Sequence, residues 1–388
     1  MSIEGKLSIK LNWDGRCLED ASLSSSRPFQ ASRLLCNIPP QEAIDRVPLI
    51  FSLCGRSQAA AARMACEAAL EIESPDRTKV LERLVLLESV QEYLWRILID
   101  LPGLNGAGPA TAELTKIRAI LTKAERLLIA EGDWKTLGAT MHPADLKSLH
   151  QLASEVRLLV ENDLLGLDAE SLLSMQSASD VSAWLDKSVA PIADQLRQAW
   201  TIRTPDADED FLPQFPDSEL ADQIWHSMGA EIEFTRLPRH QGAAVETGAL
   251  SRLQSHPLII SVLKSQRRVA ARFVSRLLEL AKILTELGSD NTTQSHRVGS
   301  KGFSEGVGGS WVETARGLLM HRIEIQGAKI VDYRILAPTE WNFHPQGRLI
   351  KELRSLEARS VDELEKRASM VCLSMDPCVG FDIEVNHA

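Results

Sequence analysis

Alternation opens the chain. Ile3, Leu7, Ile9 and Leu11 are apolar with polar residues between them, the pattern of a strand, and Asp14-Gly15 marks a turn after it. Residues 27–53 carry Pro28, Pro39, Pro40 and Pro48 and predict irregular structure. The run "CGRSQAAAARMACEAAL" has high helix propensity and places Cys54-Gly55 just before or at a helix start. From about 76 to 200 the period is helical. "DRTKVLERLVLLESVQEYLWRILID" sets Val80, Leu84, Leu87, Leu94 and Ile97 or Leu98 near one face. Helical patterns recur over 110–131, 143–164 and 178–200, separated by breaks such as "LPGLNGAGPA". Residues 202–218 are acidic and proline-bearing and predict a surface loop. "HPLIISVLKSQRRVAARFVSRLLELAKILTEL" predicts one long helix over about 256–287.

A Gly/Ser-rich stretch follows, "GSDNTTQSHRVGSKGFSEGVGGSW". After it "GLLMHRIEI" and "KIVDYRILA" alternate on either side of Gly327 and predict a β-hairpin. A last helix is predicted over roughly 347–370, ahead of the tail "SMDPCVGFDIEVNHA". The sum is a mainly α chain with small peripheral β-sheets, an α+β architecture without internal repeats. No clean linker divides it, so residues 1–388 read as a single domain. Its parts are the N-terminal strands and Cys54 loop (1–72), a helical body (73–289), and the Gly/Ser loop, hairpin, helix and Cys378 tail (290–388).

Composition narrows the function. With 388 residues, 44% hydrophobic and 25% charged, the chain can bury a large core. A net charge of -10, with no basic cluster interleaved with aromatics, argues against nucleic-acid binding. The start "MSIEGKLSIKLNWDG" has no apolar signal core and no segment is long enough to span a membrane, so a cytoplasmic protein is expected. Cys17, Cys36, Cys54, Cys66, Cys372 and Cys378 form no CxxC pair and read as free thiols, a few of them candidate ligands.

The two ends carry a resemblance. "ETARGLLMHRIEIQGAKIVDYRILAPTEWN" resembles the segment near the C-terminus of nickel–iron hydrogenase large subunits, with its Glu-Ala-Pro-Arg-Gly stretch, hairpin and Pro-Thr-x-Trp-Asn. "DPC" resembles that family's closing Asp-Pro-Cys-x-x-Cys-x-x-His, and "SLCGRSQ" its Arg-x-Cys-Gly-x-Cys. "SIEGKLSIKLNWDG", "RPFQ" and "LPRHQGAAVETGALSRL" match further motifs in order, so the resemblance is global with a shortened middle. The departures are as informative. Cys54 and Cys378 match the first cysteine of each pair, while Ser57 and Phe381 stand where the bridging cysteines would be, and Glu384 replaces the histidine. The chain ends at Ala388, where the family carries a cleavable extension. Phenylalanine cannot ligate a metal and serine suits nickel poorly, so a nickel–iron centre and hydrogen oxidation are not expected.

The pattern resembles instead the hydrogenase accessory proteins of the HupK/HoxV type, large-subunit look-alikes that serve in maturation. That resemblance implies a non-catalytic scaffold for iron carrying two cyanides and one carbon monoxide, without nickel. Cys54 and Cys378 would be its ligands, two thiolates suiting iron whose other positions hold diatomics. A helix start and Arg56 would favour the Cys54 thiolate. Arg316 would donate to one cyanide, and Thr339, with Pro338 and Ala315 around it, would form the rest of the pocket. The plain alternative for Arg316 is a surface ion pair. Glu4, Arg56 and Ser57 would lie behind the ligands, with His321 and Asp376 structural and Cys36 in the loop that leads to Cys54. Implied partners are a small HypC-like chaperone or iron-group assembly complex, and the apo large subunit. The competing reading is a metal-free chaperone for a hydrogenase subunit or another maturation factor.

Overall fold

The segment 27–53, read as irregular, holds helix α1 (Pro40–Ile50), with Pro40 in the first turn where its missing N–H costs nothing. Helix α2 (Gly55–Ala69) follows and is the element on which the others pack, and its alanines explain why. Ala59–Ala62, Ala65, Cys66 and Ala69 are all buried, so neighbours approach the helix closely from every side. Strand β4 (Val307–Thr314) comes closest. A Cβ on Gly308 would lie 2.4 Å from the Ala65 carbonyl oxygen and 2.5 Å from the Ala69 nitrogen, so only glycine fits there. Ser310 Oγ, on the same strand, donates to the Ala61 carbonyl at 2.7 Å. The Gly/Ser-rich stretch is therefore no loop from Val298 onward. It forms β3 (Val298–Ser304) and β4, paired antiparallel. This computed structural model describes residues 5–387 apart from 16, 29, 75–76, 105, 130–133, 141–144, 205–209, 214, 216–217 and 288–296. The expectation for Glu4 lies outside these residues.

The predicted hairpin is present as β5 (Gly317–Gln326) and β6 (Lys329–Leu336), and completes a sheet of order β3-β4-β5-β6. Strand alternation buries both faces of β5. Leu319 and Ile323 join the main core around α2, while Leu318 and Met320 join a smaller cluster with Ile224, Trp225 and Met228 of the helix Ser218–Ala230. A second sheet joins the chain ends: β1 (Leu7–Trp13) pairs antiparallel with β2 (Leu18–Ser25) and parallel with β7 (Phe381–His387). Leu7 stands opposite Phe381, which draws the residues just before β7 towards the centre.

The periodicity predicts a one-sided helix, but α3 (Arg77–Trp95) is buried all round. Leu81 and Val85 are buried as fully as Leu84, and Leu86 nearly so, because α3 lies between α2, the helix Thr111–Leu128 and the helix Arg268–Glu286. Three predicted helices are each broken in two. Pro191 starts a new helix after Lys187. Gln266 adopts a left-handed φ of 58° between Pro257–Lys264 and Arg268–Glu286, where its carbonyl accepts from Thr204 N. Ser360 caps a fresh helix, Val361–Ser374, after Arg348–Arg354 ends. The acidic segment 202–218 is not all surface. Asp210 is buried against Arg268 at 2.7 Å, and Leu212 is buried in the smaller core.

Candidate functional site

Three segments far apart in sequence converge on one cavity of about 80 Å³, room for several water molecules or a small inorganic group. Cys54, Cys378, Arg316, Thr339 and Pro338 line it together. Each arrives by a local device.

Cys54 precedes the first turn of α2 and makes no capping bond through its own side chain. Glu88 of α3 satisfies that helix end from outside: its carboxylate accepts from Arg56 N and Ser57 N, each at 2.9 Å, and from the Ser57 hydroxyl. Ser57 is thereby tied to Glu88 and lies outside the cavity lining. Arg56 is drawn the other way, onto Glu125 at 2.8 and 2.6 Å. The expected help to a Cys54 thiolate from Arg56 and the helix end is therefore lost. Burial, then the Glu88 charge, push the thiol up to about 12, against the pull of Arg316. Gln58 donates to Cys54 Sγ at 3.7 Å. The Gln58 carbonyl oxygen meets His321 Nε2 at 3.0 Å, and His321 Nδ1 meets the Tyr333 hydroxyl at 2.9 Å. Burial pushes His321 down to about 3, so the ring is neutral. A neutral ring whose Nε2 donates to the Gln58 oxygen must accept from Tyr333 at Nδ1.

Arg316 sits in the two-residue turn between β4 and β5. The turn closes on Gly317 at φ 129°, and a Cβ there would meet the Thr247 side chain at 2.5 Å. Asn342 Nδ2 donates to the Arg316 carbonyl at 3.2 Å, and Thr314 Oγ accepts from Arg316 N. The side chain is buried, ion-paired with Glu92 and 3.7 Å from Asp376. It is not a surface pair. Burial opposes its charge, but Glu92, Asp376 and the two sulfurs outweigh that and raise its pKa. Its Nε is buried without a hydrogen-bond partner among the described residues. Ala315, the other turn residue, lies outside this cavity, and its carbonyl accepts from the Tyr93 hydroxyl at 3.3 Å.

Cys378 is placed by the end of the helix Val361–Ser374. Asp376 takes a left-handed φ of 58°, a conformation aspartate tolerates, and turns the chain. Its carboxylate accepts from Arg96 at 2.6 and 3.0 Å, and Arg96 also reaches the Pro377 carbonyl at 3.0 Å. Arg96, Arg276 and Arg316 hold the Asp376 carboxyl well below the usual range despite burial. Thr339 Oγ donates to Cys378 Sγ at 3.0 Å.

Residues that the motifs left unassigned also build the site. Glu88 and Glu92 lie one turn apart in α3 and are both buried, a pair of carboxylates visible in "LLESVQEYLW". Arg27 and Glu340 line the cavity and pair at 2.6 Å. Cys36, Cys66 and Cys372 do not line it, and Cys17 is exposed. Among the described residues no group of three or more His, Cys, Asp or Glu side chains is placed to hold a metal. No helix among them is long and apolar enough to cross a membrane.

Residues 264–380 match the family described as nickel-dependent hydrogenase. Over nearly its whole length the chain is similar to curated relatives. It is 27% identical to the hydrogenase expression/formation protein HoxV of Cupriavidus necator, across 93% of this chain and 92% of that one. It is 28% identical to HupK of Rhizobium leguminosarum bv. viciae, across 95% and 93%. In fold it is similar to the Ni-Fe-Se hydrogenases of D. vulgaris Hildenborough (TM-score 0.65, 15% identity, 97% and 96% covered) and Desulfomicrobium baculatum (TM-score 0.66, 14% identity, 97% of each chain covered). By sequence the chain is thus a homologue of the HoxV and HupK hydrogenase expression/formation proteins, and by fold it is built like a nickel–iron hydrogenase large subunit.

Proposed function

We propose that the protein is a non-catalytic scaffold in hydrogenase maturation. It holds iron with two cyanides and one carbon monoxide between Cys54 and Cys378 before delivery to an apo large subunit. The observation that carries this reading is that the two cysteines, Arg316 and Thr339 line one cavity. The two thiols are soft donors suited to such iron, and Arg316 is a rigid fork of donors suited to cyanide nitrogens. Ser57 is occupied by Glu88, and Phe381 begins β7, so neither supplies the further thiolates a nickel site would need. Two protein ligands rather than four suit a cargo that must leave again. The iron group is cargo here, not a resident cofactor.

A small iron-building chaperone or complex would load the site, and the apo large subunit would empty it. Both encounters call for moderate affinity, since a very tight complex would not release. Protein purified from cells that make the assembly machinery is expected to carry iron, and Cys54→Ala or Cys378→Ala to lose it. The metal-free chaperone reading draws on the exposed side chains of Leu34, Leu49 and Leu53, of which Leu53 lines the cavity. Capture of a hydrogenase subunit by iron-free protein, unchanged by Cys54→Ala, would favour that reading and contradict the scaffold.

A further inference from the structure

We infer that Arg27 is a second specificity-determining contact for the anionic cargo, a guanidinium that reaches the same group as Arg316 from a different part of the chain. The inference rests on the scaffold reading and adds a residue to it. Arg27 follows β2, and its side chain lines the cavity at 12% exposure. Its Nη1 donates to Glu340 at 2.6 Å. Among the described residues its Nε and Nη2 find no acceptor, and neither atom is sealed in protein. A guanidinium that has lost most of its water and keeps free donors on a cavity wall calls for an acceptor in that cavity.

The charge balance points the same way. Burial works against the Arg27 charge, yet Cys378, Glu340 and Cys54 together outweigh it. Both sulfurs therefore lie within electrostatic reach of both guanidiniums, and the guanidiniums repel each other. Glu92 and Asp376 face Arg316, whereas among the described residues the Arg27 guanidinium is hydrogen-bonded to Glu340 alone. Two cations converging on two thiols, in walls otherwise rich in apolar side chains such as Phe51, Leu319, Ile335 and Val379, favour a compact anionic occupant with several acceptors. Ferrous iron with two cyanides, held by two thiolates, has net negative charge and outward-facing nitrogens. Arg27 meets one of those nitrogens or the charge around it, and Glu340 retains the guanidinium when the cargo leaves.

The test is the infrared spectrum and iron content of the full-length protein, purified as loaded by the assembly machinery, for wild type, Arg27→Gln, Arg27→Lys and Glu340→Gln. Arg27→Gln is expected to displace a cyanide stretching band and to lower retained iron by about tenfold, the worth of one hydrogen bond to a charged group. Arg27→Lys restores the charge without the fork, so it is expected to recover part of the iron but not the band position. Glu340→Gln frees Arg27 and is expected to hold at least as much iron as wild type, with a shifted band. Wild-type bands and iron in Arg27→Gln would overturn the inference while leaving the scaffold intact. If Arg27→Gln does not fold, an unshifted spectrum in Glu340→Gln overturns it. Absence of bands from wild type overturns the scaffold reading, and the role of Arg27 with it.

Discussion

Arg316 shows how one side chain serves both stability and site. It is buried beside Glu92 and Asp376, so removing it leaves the buried Glu92 carboxylate without its ion-pair partner, while Asp376 keeps Arg96. Arg316→Leu is expected to cost about 3–5 kcal/mol of stability, read from urea unfolding, because a broken buried pair leaves uncompensated charge. Arg316→Lys keeps the charge and is expected to recover much of that loss, but not the planar fork. That Arg316, Cys54, Cys378 and Thr339 belong to one place was legible in the sequence because matched motifs surround each, and the four line one cavity. Their environment was not. Nothing in "SLCGRSQ" shows that Glu88, 31 residues on from Ser57, occupies the helix end, or that burial and then the Glu88 charge push the Cys54 thiol up instead of down. Arg56 is beside Cys54 in sequence and directed away from it in space, since Glu125 outbids the sulfur for the guanidinium. Adjacency along a chain says little about which way a long side chain turns.

At the scale of elements, α2 and β4 form the joint that sets the cavity wall. Gly308 lets the strand backbone touch the helix backbone. Gly308→Val is expected to force the two apart and lower the melting temperature markedly, by the roughly 1–3 kcal/mol or more that overpacking costs. The alanine run made α2 legible, and alternation about Gly327 made the β5–β6 hairpin legible. Strands β3 and β4 were not, because glycine and serine have low strand propensity and their placement here answers to close packing on α2. The breaks inside the predicted long helices were hidden for a related reason. A left-handed Gln266, held by Thr204, is fixed by tertiary hydrogen bonds and not by its own propensity. Strand β7 is legible only with its partner: "FDIEV" alternates, but its hydrogen bonds go to β1 at the other end of the chain.

Across the whole molecule, buried ion pairs tie the C-terminal segment to the helical body. Arg268, Arg272 and Arg276 recur every four residues on one helix. Arg272 joins Glu246 at 2.7 Å to Glu352 at 2.7 Å, and Arg276 binds the Ser374 carbonyl and lies 3.8 Å from Asp376. Arg272 and Arg268 hold the Glu246 carboxyl down at about 2 against its burial. Its folded value is depressed, so its contribution is complete above the unfolded value near 4.5 and is lost as pH falls towards 2. Buried neutral His321 acts in a higher window: between about 6.5 and 3 the unfolded chain takes up a proton that the native chain refuses. Stability is expected to fall below pH 6.5 and faster below 4.5. Chemical denaturation across pH checks this, with His321→Gln flattening the upper window. The mainly helical class and the order of motifs were legible from end to end. The convergence of the ends was implied only by resemblance, since sequence separation carries no distance. That convergence is what the proposed function depends on. The most direct test is infrared spectroscopy of the purified protein beside its Cys54→Ala and Cys378→Ala variants. The account predicts cyanide and carbonyl stretching bands in the wild type and none in either variant; bands that persist in both variants would contradict it.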